Sequence, residues 1–388
     1  MIVYDKKLLD NLALVEEAKS LHSAGFISKE QKDLIKKELP ALKRQSNILV
    51  RLGFFLLGAF LYLSICGVIS LLGLTSSENS FLEICCYIFA IVGFAGAEFL
   101  TNQKYYEHGL DDAFILGALL NVGIAIAVTT EGYELNIAFF VAVASFLMYR
   151  RYLHLLSLLI FCLAASAVLF YGMFEFGAIG KTVLPFVVML FSAAFYFFSK
   201  KIIDNLKQSY YYKGLLLANS FCLVLFYLSC NYLVVRELSV MLLGDEILPG
   251  NDIPFAIFFY AFTFVVPVLY LIQAIKTKDR IMLWISFLAI GFSIYTIRFY
   301  YSVLPIEVAL TIGGLVLFAI AYFSIKKLKE KESGLTFKPD RINNSNAILN
   351  AEALIVASTF GLKSEVKTES PMDFGGGGFS GGGSEGSF

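Results

Sequence analysis

Hydrophobic positions along this chain do not alternate with polar ones; from Val50 onward they run in long unbroken blocks separated by short polar turns. The block from Ile137 to Phe174 sets the frame, because Arg150, Arg151 and His154 are its only plainly polar break. One helix of that length would reach about 57 Å, nearly twice a hydrocarbon core of about 30 Å. The chain must therefore turn at the arginines, which predicts two membrane helices hinged at a basic cytoplasmic corner.

Applied to the rest of the chain, the same reading predicts ten apolar segments, at about 50–73, 81–99, 112–129, 135–149, 152–175, 182–199, 214–235, 253–275, 281–299 and 303–325. Charge tests the count independently. With the N-terminus inside, the inner loops hold ten basic residues: Lys104, Arg150, Arg151, Lys200, Lys201, Lys207, Lys213, Lys276, Lys278 and Arg280. The outer loops hold three, Lys181, Arg236 and Arg298. Both termini are therefore expected in the cytoplasm. The fold class expected is all-α, a polytopic membrane helix bundle of about ten transmembrane helices.

Three parts follow from this pattern: a cytoplasmic helical hairpin over 1–49, a transmembrane domain over 50–325 and a cytoplasmic tail over 326–388. In the hairpin, Leu8, Leu12, Val15 and Leu21 form one apolar stripe and Gly25 ends the first helix. Ser28 and Gln31 make a capping box for a second helix, which carries Leu34, Ile35 and Leu39 and is closed by Pro40. So small a hairpin buries little alone and is expected to lean on the membrane domain, a partner or a second copy. The outer loop from Arg236 to Asp252, with Asp245, Glu246, Pro249 and Gly250, reads as solvated and turn-rich. In the tail, 345–360 reads as a short helix, and the end from Pro371 to Phe388 is too rich in glycine to bury a core. Arg151-x5-Ser157 and Arg280-x5-Ser286, each with a Phe-Phe pair in the helix before it, hint at a duplicated helix pair.

Composition agrees: 58% of residues are hydrophobic and 16% charged, and mean hydropathy is +0.72, far outside the soluble range. The formal net charge of zero argues neither for nor against nucleic-acid binding; the partners expected are the lipid bilayer and a protein reached through 1–49 or 345–388, and no nucleic acid. The six cysteines lie in apolar segments with no CxxC pair, and read as small buried residues.

Candidate chemistry is sparse. A coupled transporter keeps ionisable groups near mid-membrane, yet here the carboxylates sit at segment ends. Asn121 is the deepest strongly polar side chain, with Asn219 and Asn231 in the seventh segment, and these three form the candidate intramembrane polar site. Glu98, Glu107, His108, Asp111 and Asp112 form the candidate metal or acid–base cluster, although Asp111 and Asp112 also suit the first turn of a helix. There is no HExxH, GxSxG, Walker loop or glycine-rich dinucleotide turn, so no catalytic residue and no cofactor is expected.

The opening run Ala24-Gly25-Phe26-Ile27-Ser28-Lys29-Glu30-Gln31, the array of short aliphatic helices and the stretch GLDDAFILGALLNVG from Gly109 to Gly123 resemble a bacterial family of multi-pass membrane proteins of unknown function. The resemblance spans most of 8–325, and the tail departs from it. It implies a bacterial inner-membrane location and supplies no catalytic residues. The function expected is that of a non-enzymatic membrane protein whose hairpin and tail engage partners, with a transporter or channel for a small or apolar solute as the alternative.

Overall fold

In a computed structural model of the protein, residues 2–300 are described, apart from 24–26, 74–79, 207–208, 244–251 and 278, together with scattered positions between 308 and 326. Gly25, the acidic end of the outer loop, most of the tenth segment and the tail, with its 345–360 helix, lie outside these residues. Among the described residues every regular element is a helix.

The N-terminal hairpin is α1 (Lys6–Ser23) and α2 (Lys29–Glu38). The capping box of α2 is formed as read: Gln31 N–H donates to Ser28 Oγ at 3.2 Å and Ser28 N–H to Gln31 Oε1 at 2.8 Å. The stripe of α1 is met in part, since Leu8 and Leu12 pack, partly buried, against the core cluster of the bundle. Leu9, Asn11 and Ala18 are the buried positions while Leu21 is 37% exposed, because the helix turns its Leu9 face down onto the bundle. The residues after α2 lie along the turn that follows the second membrane helix, Lys43 N–H donating to the Lys104 carbonyl at 2.8 Å and Tyr106 N–H to the Lys43 carbonyl at 3.2 Å.

The bundle begins with α3 (Ile48–Gly73), α4 (Ser80–Asn102), α5 (Leu110–Thr129), α6 (Glu134–Tyr152) and α7 (Leu155–Phe174), which pack on one another as a first group. A second group comprises α8 (Gly177–Asp204), α9 (Tyr212–Ser229), α10 (Tyr232–Leu243), α11 (Ala256–Thr277) and α12 (Arg280–Tyr300). The groups meet through α7, which packs on α8 and α9. Large side chains such as Phe60, Leu63, Leu71, Ile91 and Leu288 are exposed around the outside, as a lipid-facing surface requires.

Eight of these helices, α3, α4, α5, α7, α8, α9, α11 and α12, are long and apolar enough to cross a membrane. The chain is thus a multi-pass membrane protein. Against the ten segments expected, α6 falls short because Arg150, Arg151 and two tyrosines fill its last turn. The seventh segment is also not one helix: it stops at Ser229 and restarts as α10, so residues 236–243 are helical and not the turn-rich loop expected. Asn231 causes the break. Its Oδ1 accepts the N–H groups of Leu233 (3.1 Å) and Val234 (3.4 Å), capping the new helix, while Nδ2 donates to Tyr227 Oη at 2.9 Å. The two Arg-x5-Ser helix pairs both bury their serine, but Phe139 and Phe140 are exposed where Phe259 is buried, so their packing differs.

Candidate functional site

Charge gathers where the hairpin meets the bundle, and the turn between α4 and α5 is built to hold it. Within six residues the backbone takes left-handed angles at Lys104 (φ 67°), Glu107 (φ 47°) and Gly109 (φ 108°). Only glycine fits the last, since a Cβ there would stand 2.2 Å from the Arg51 carbonyl oxygen. Asp111 secures the turn from inside α5: its Oδ1 accepts the N–H groups of His108 and Gly109, each at 3.0 Å. This satisfies the N-cap donor of α5 and the donor just before it, and places negative charge at the positive end of the helix.

Each remaining carboxylate meets a cation from another element. Asp112 Oδ2 receives Arg51 Nε and Nη2 from α3, both at 2.7 Å, and its Oδ1 lies 3.3 Å from His154 Nε2 at the head of α7. Glu98, near the end of α4, pairs with Arg151 of α6, with Nη2 to Oε2 at 2.7 Å, and accepts the Tyr152 hydroxyl. Glu107 pairs with Arg44 beyond the hairpin; Arg44 also meets Glu16 of α1, which in turn accepts from Lys213 Nζ of α9 at 3.0 Å.

The proposed acid–base or metal cluster is therefore divided. Glu98, Glu107, His108, Asp111 and Asp112 share one end of the bundle, but among the described residues no three His, Cys, Asp or Glu side chains converge where a metal could be held. The carboxylates face guanidinium groups or backbone N–H donors, which suits ion pairing and not ligation. His108 lies between the rings of Phe54 (4.4 Å) and Tyr105 (4.8 Å), with Nδ1 buried and unpartnered. Burial lowers its pKa, Lys43 adds to the shift and Asp112 opposes it. The neighbouring Tyr106 hydroxyl is pushed well above its ordinary range, first by burial and then by Glu107.

Asp112, His154 and Ser157 stand in the order of a hydrolase triad, yet their geometry is that of a helix cap. His154 Nδ1 accepts the Ser157 N–H at 3.2 Å, which leaves the ring proton on Nε2 facing Asp112. The Ser157 hydroxyl, 2.8 Å from Nδ1, is wholly buried and has no room for a substrate.

The three intramembrane asparagines lie on different helix contacts and do not share a site. Asn121 Nδ2 donates to Tyr62 Oη at 2.8 Å and to the Gly117 carbonyl at 2.9 Å, and Tyr62 passes its own proton to the Phe89 carbonyl, tying α5, α3 and α4. Gly117 makes room for that tyrosine, whose ring would lie 2.6 Å from a Cβ. Asn219 Oδ1 accepts Ser199 Oγ of α8 at 3.0 Å. Asn231 belongs to a network that sequence reasoning missed. Pro267 has no N–H for the Thr263 carbonyl four residues earlier, and Ser293 Oγ of α12 donates to that carbonyl at 2.7 Å. Thr263 Oγ1 then accepts the Tyr232 N–H at 2.9 Å, and Tyr227 Oη lies 2.8 Å from Ser293 Oγ. The proline was the one signal that could have pointed there.

Also missed were the cationic partners Arg44, Arg51 and Lys213 together with Glu16. Tyr210 and Tyr211 pack against the core beneath α1. All six cysteines are free and buried, as their setting implied. Compared with known proteins, the chain matches no family model, no curated protein and no solved structure.

Proposed function

We propose that this chain is a non-enzymatic protein of a bacterial inner membrane that presents α2 to a protein partner in the cytoplasm. The observation that carries this reading is the contrast within the hairpin. Helix α1 is buried along Leu9, Asn11 and Ala18, whereas α2 buries no residue and leaves Leu34 56% exposed, although it is fully capped. A helix that is finished at its N-terminus yet unused by its own fold is available for recognition. Lys29, Lys32, Lys36 and Lys37 outnumber Glu30, Asp33 and Glu38 on it, which favours an acidic partner with a shallow apolar pocket for Leu34.

Topology supports the orientation. The hairpin end collects the N-terminus of α3, the C-terminus of α4, the N-terminus of α5, the C-terminus of α6 and the N-terminus of α7. Tyr87 and Thr129 meet at the other end, as do Tyr133 and Glu175. Helix α6 thus runs the same depth as its neighbours, about 28 Å at about 1.5 Å per residue, and we count it as a crossing. With the tenth segment, both chain ends return to the basic, cytoplasmic side.

Cross-linking tests the reading. A photoreactive residue at Leu34 should trap one discrete protein in cells, and Lys36→Glu with Lys37→Glu should abolish the adduct while membrane insertion persists. No discrete adduct, or one indifferent to the charge reversal, overturns it.

A second reading, transport of a small solute, draws on one observation: the break between α9 and α10 sits among fully buried Cys230, Asn231, Tyr232 and Thr263, and broken helices line many transport sites. Solute flux lost in a folded Asn231→Leu protein would promote it.

A further inference from the structure

Helix α1 touches both helix groups at the hairpin end. On the first group, Val3 N–H donates at 3.1 Å to the Arg151 carbonyl, one of the last carbonyls of α6 and without a donor inside that helix. Tyr4 meets Tyr106 edge-on at 5.1 Å, and Leu9 is buried in the same cluster. On the second group, Glu16 takes Lys213 in the first turn of α9. Elsewhere the groups touch through α7 and through the Tyr149 hydroxyl, which lies where a Cβ on Gly214 would stand.

The two attachments differ in kind. The first combines buried aromatic and aliphatic surface with a backbone hydrogen bond. The second sets Tyr210 and Tyr211, just before α9, against the cluster that buries Leu9 and adds one carboxylate shared by Arg44 and Lys213, all three about a quarter to a third exposed, so that the ion pairs contribute little. Loss of the Glu16 carboxylate would therefore loosen the second attachment while the buried contacts of the first stay in place.

We propose that α1 is a strap that sets the spacing of the two helix groups at the cytoplasmic end, with Glu16 as its release point, and that a protein held on α2 acts on the membrane domain through it. The last clause rests on the reading of α2 given above; the strap does not.

Spin labels test it in the full chain in lipid nanodiscs. One pair, at Gln103 after α4 and Asn205 after α8, spans the seam, and a second, at Gln103 and Arg150, stays within the first group; all three positions are exposed, and the native cysteines are buried. Glu16→Gln and Glu16→Lys should lengthen and broaden the first distance distribution and leave the second narrow. An unchanged Gln103–Asn205 distribution in both variants overturns the strap, whatever becomes of α2. Broadening of both pairs also overturns it, since α1 would then be a general support and not a bridge across a seam. A protein that binds α2 and leaves the Gln103–Asn205 distance unchanged overturns the coupling alone.

Discussion

Helices α3 to α6 are tied at one end by ions: Arg51 on Asp112, Arg151 on Glu98, and Arg44 on Glu107. Helices α9 to α12 are tied within the bundle by neutral groups, where Tyr227, Asn231, Thr263 and Ser293 exchange hydrogen bonds around a helix break and a proline. Both arrangements satisfy polar groups that lipid would not, but they fail differently. An ion pair that loses one member strands a charge in a dry place, while a hydroxyl that loses its neighbour strands a dipole.

The largest expected effect is on the ionic side. Asp112→Leu removes the shared acceptor of Arg51 and His154 and should lower stability by about 3 kcal/mol, read by thermal unfolding in detergent. On the neutral side, Ser293→Ala reopens the Thr263 carbonyl and should cost about 1.5 kcal/mol by the same measurement. Were the serine as costly as the aspartate, the distinction between the two regions would collapse. Asn121→Leu should cost less again, about 0.6 kcal/mol, because the side chain ties helices through the Tyr62 hydroxyl and the Gly117 carbonyl.

The smallest effect sharpens the comparison through pH. Burial holds His108 below its ordinary value of 6.5, so the unfolded chain binds a proton that the folded one resists. Its contribution is complete above about pH 6.5 and shrinks as pH falls through that value toward the lowered one. Unfolding measured from pH 8 to 5.5 should show that slope, and His108→Phe, which keeps the stack with Phe54, should flatten it. Ser293→Ala should leave the slope as it was.

Much of the outline was legible because lipid imposes it: apolar blocks become helices, and Ser28 with Gln31 starts α2 as a capping box must. The turn at Arg150, Arg151 and His154 was legible for the same reason, but the fate of those residues was not. Arg150 is exposed over Phe146 at 6.0 Å, while its neighbour Arg151 points inward to Glu98. Residues one position apart on a helix face directions about 100° apart, and a boundary drawn from hydropathy does not say which direction meets a neighbour. The acidic cluster misled for a related reason. Its members are close in sequence, whereas the cations that neutralise them come from Arg44, Arg51 and Arg151, scattered along the chain. The seventh segment looked continuous because Cys230 and Tyr232 are apolar enough to hide the cap that Asn231 provides.

The bond from Ser293 to Thr263 also bears on how the protein is made. A chain entering the bilayer delivers α11 before α12, and α11 on its own would meet lipid with a carbonyl that Pro267 has left bare. The two helices are therefore expected to leave the translocation machinery together, as one hairpin whose second limb completes the first.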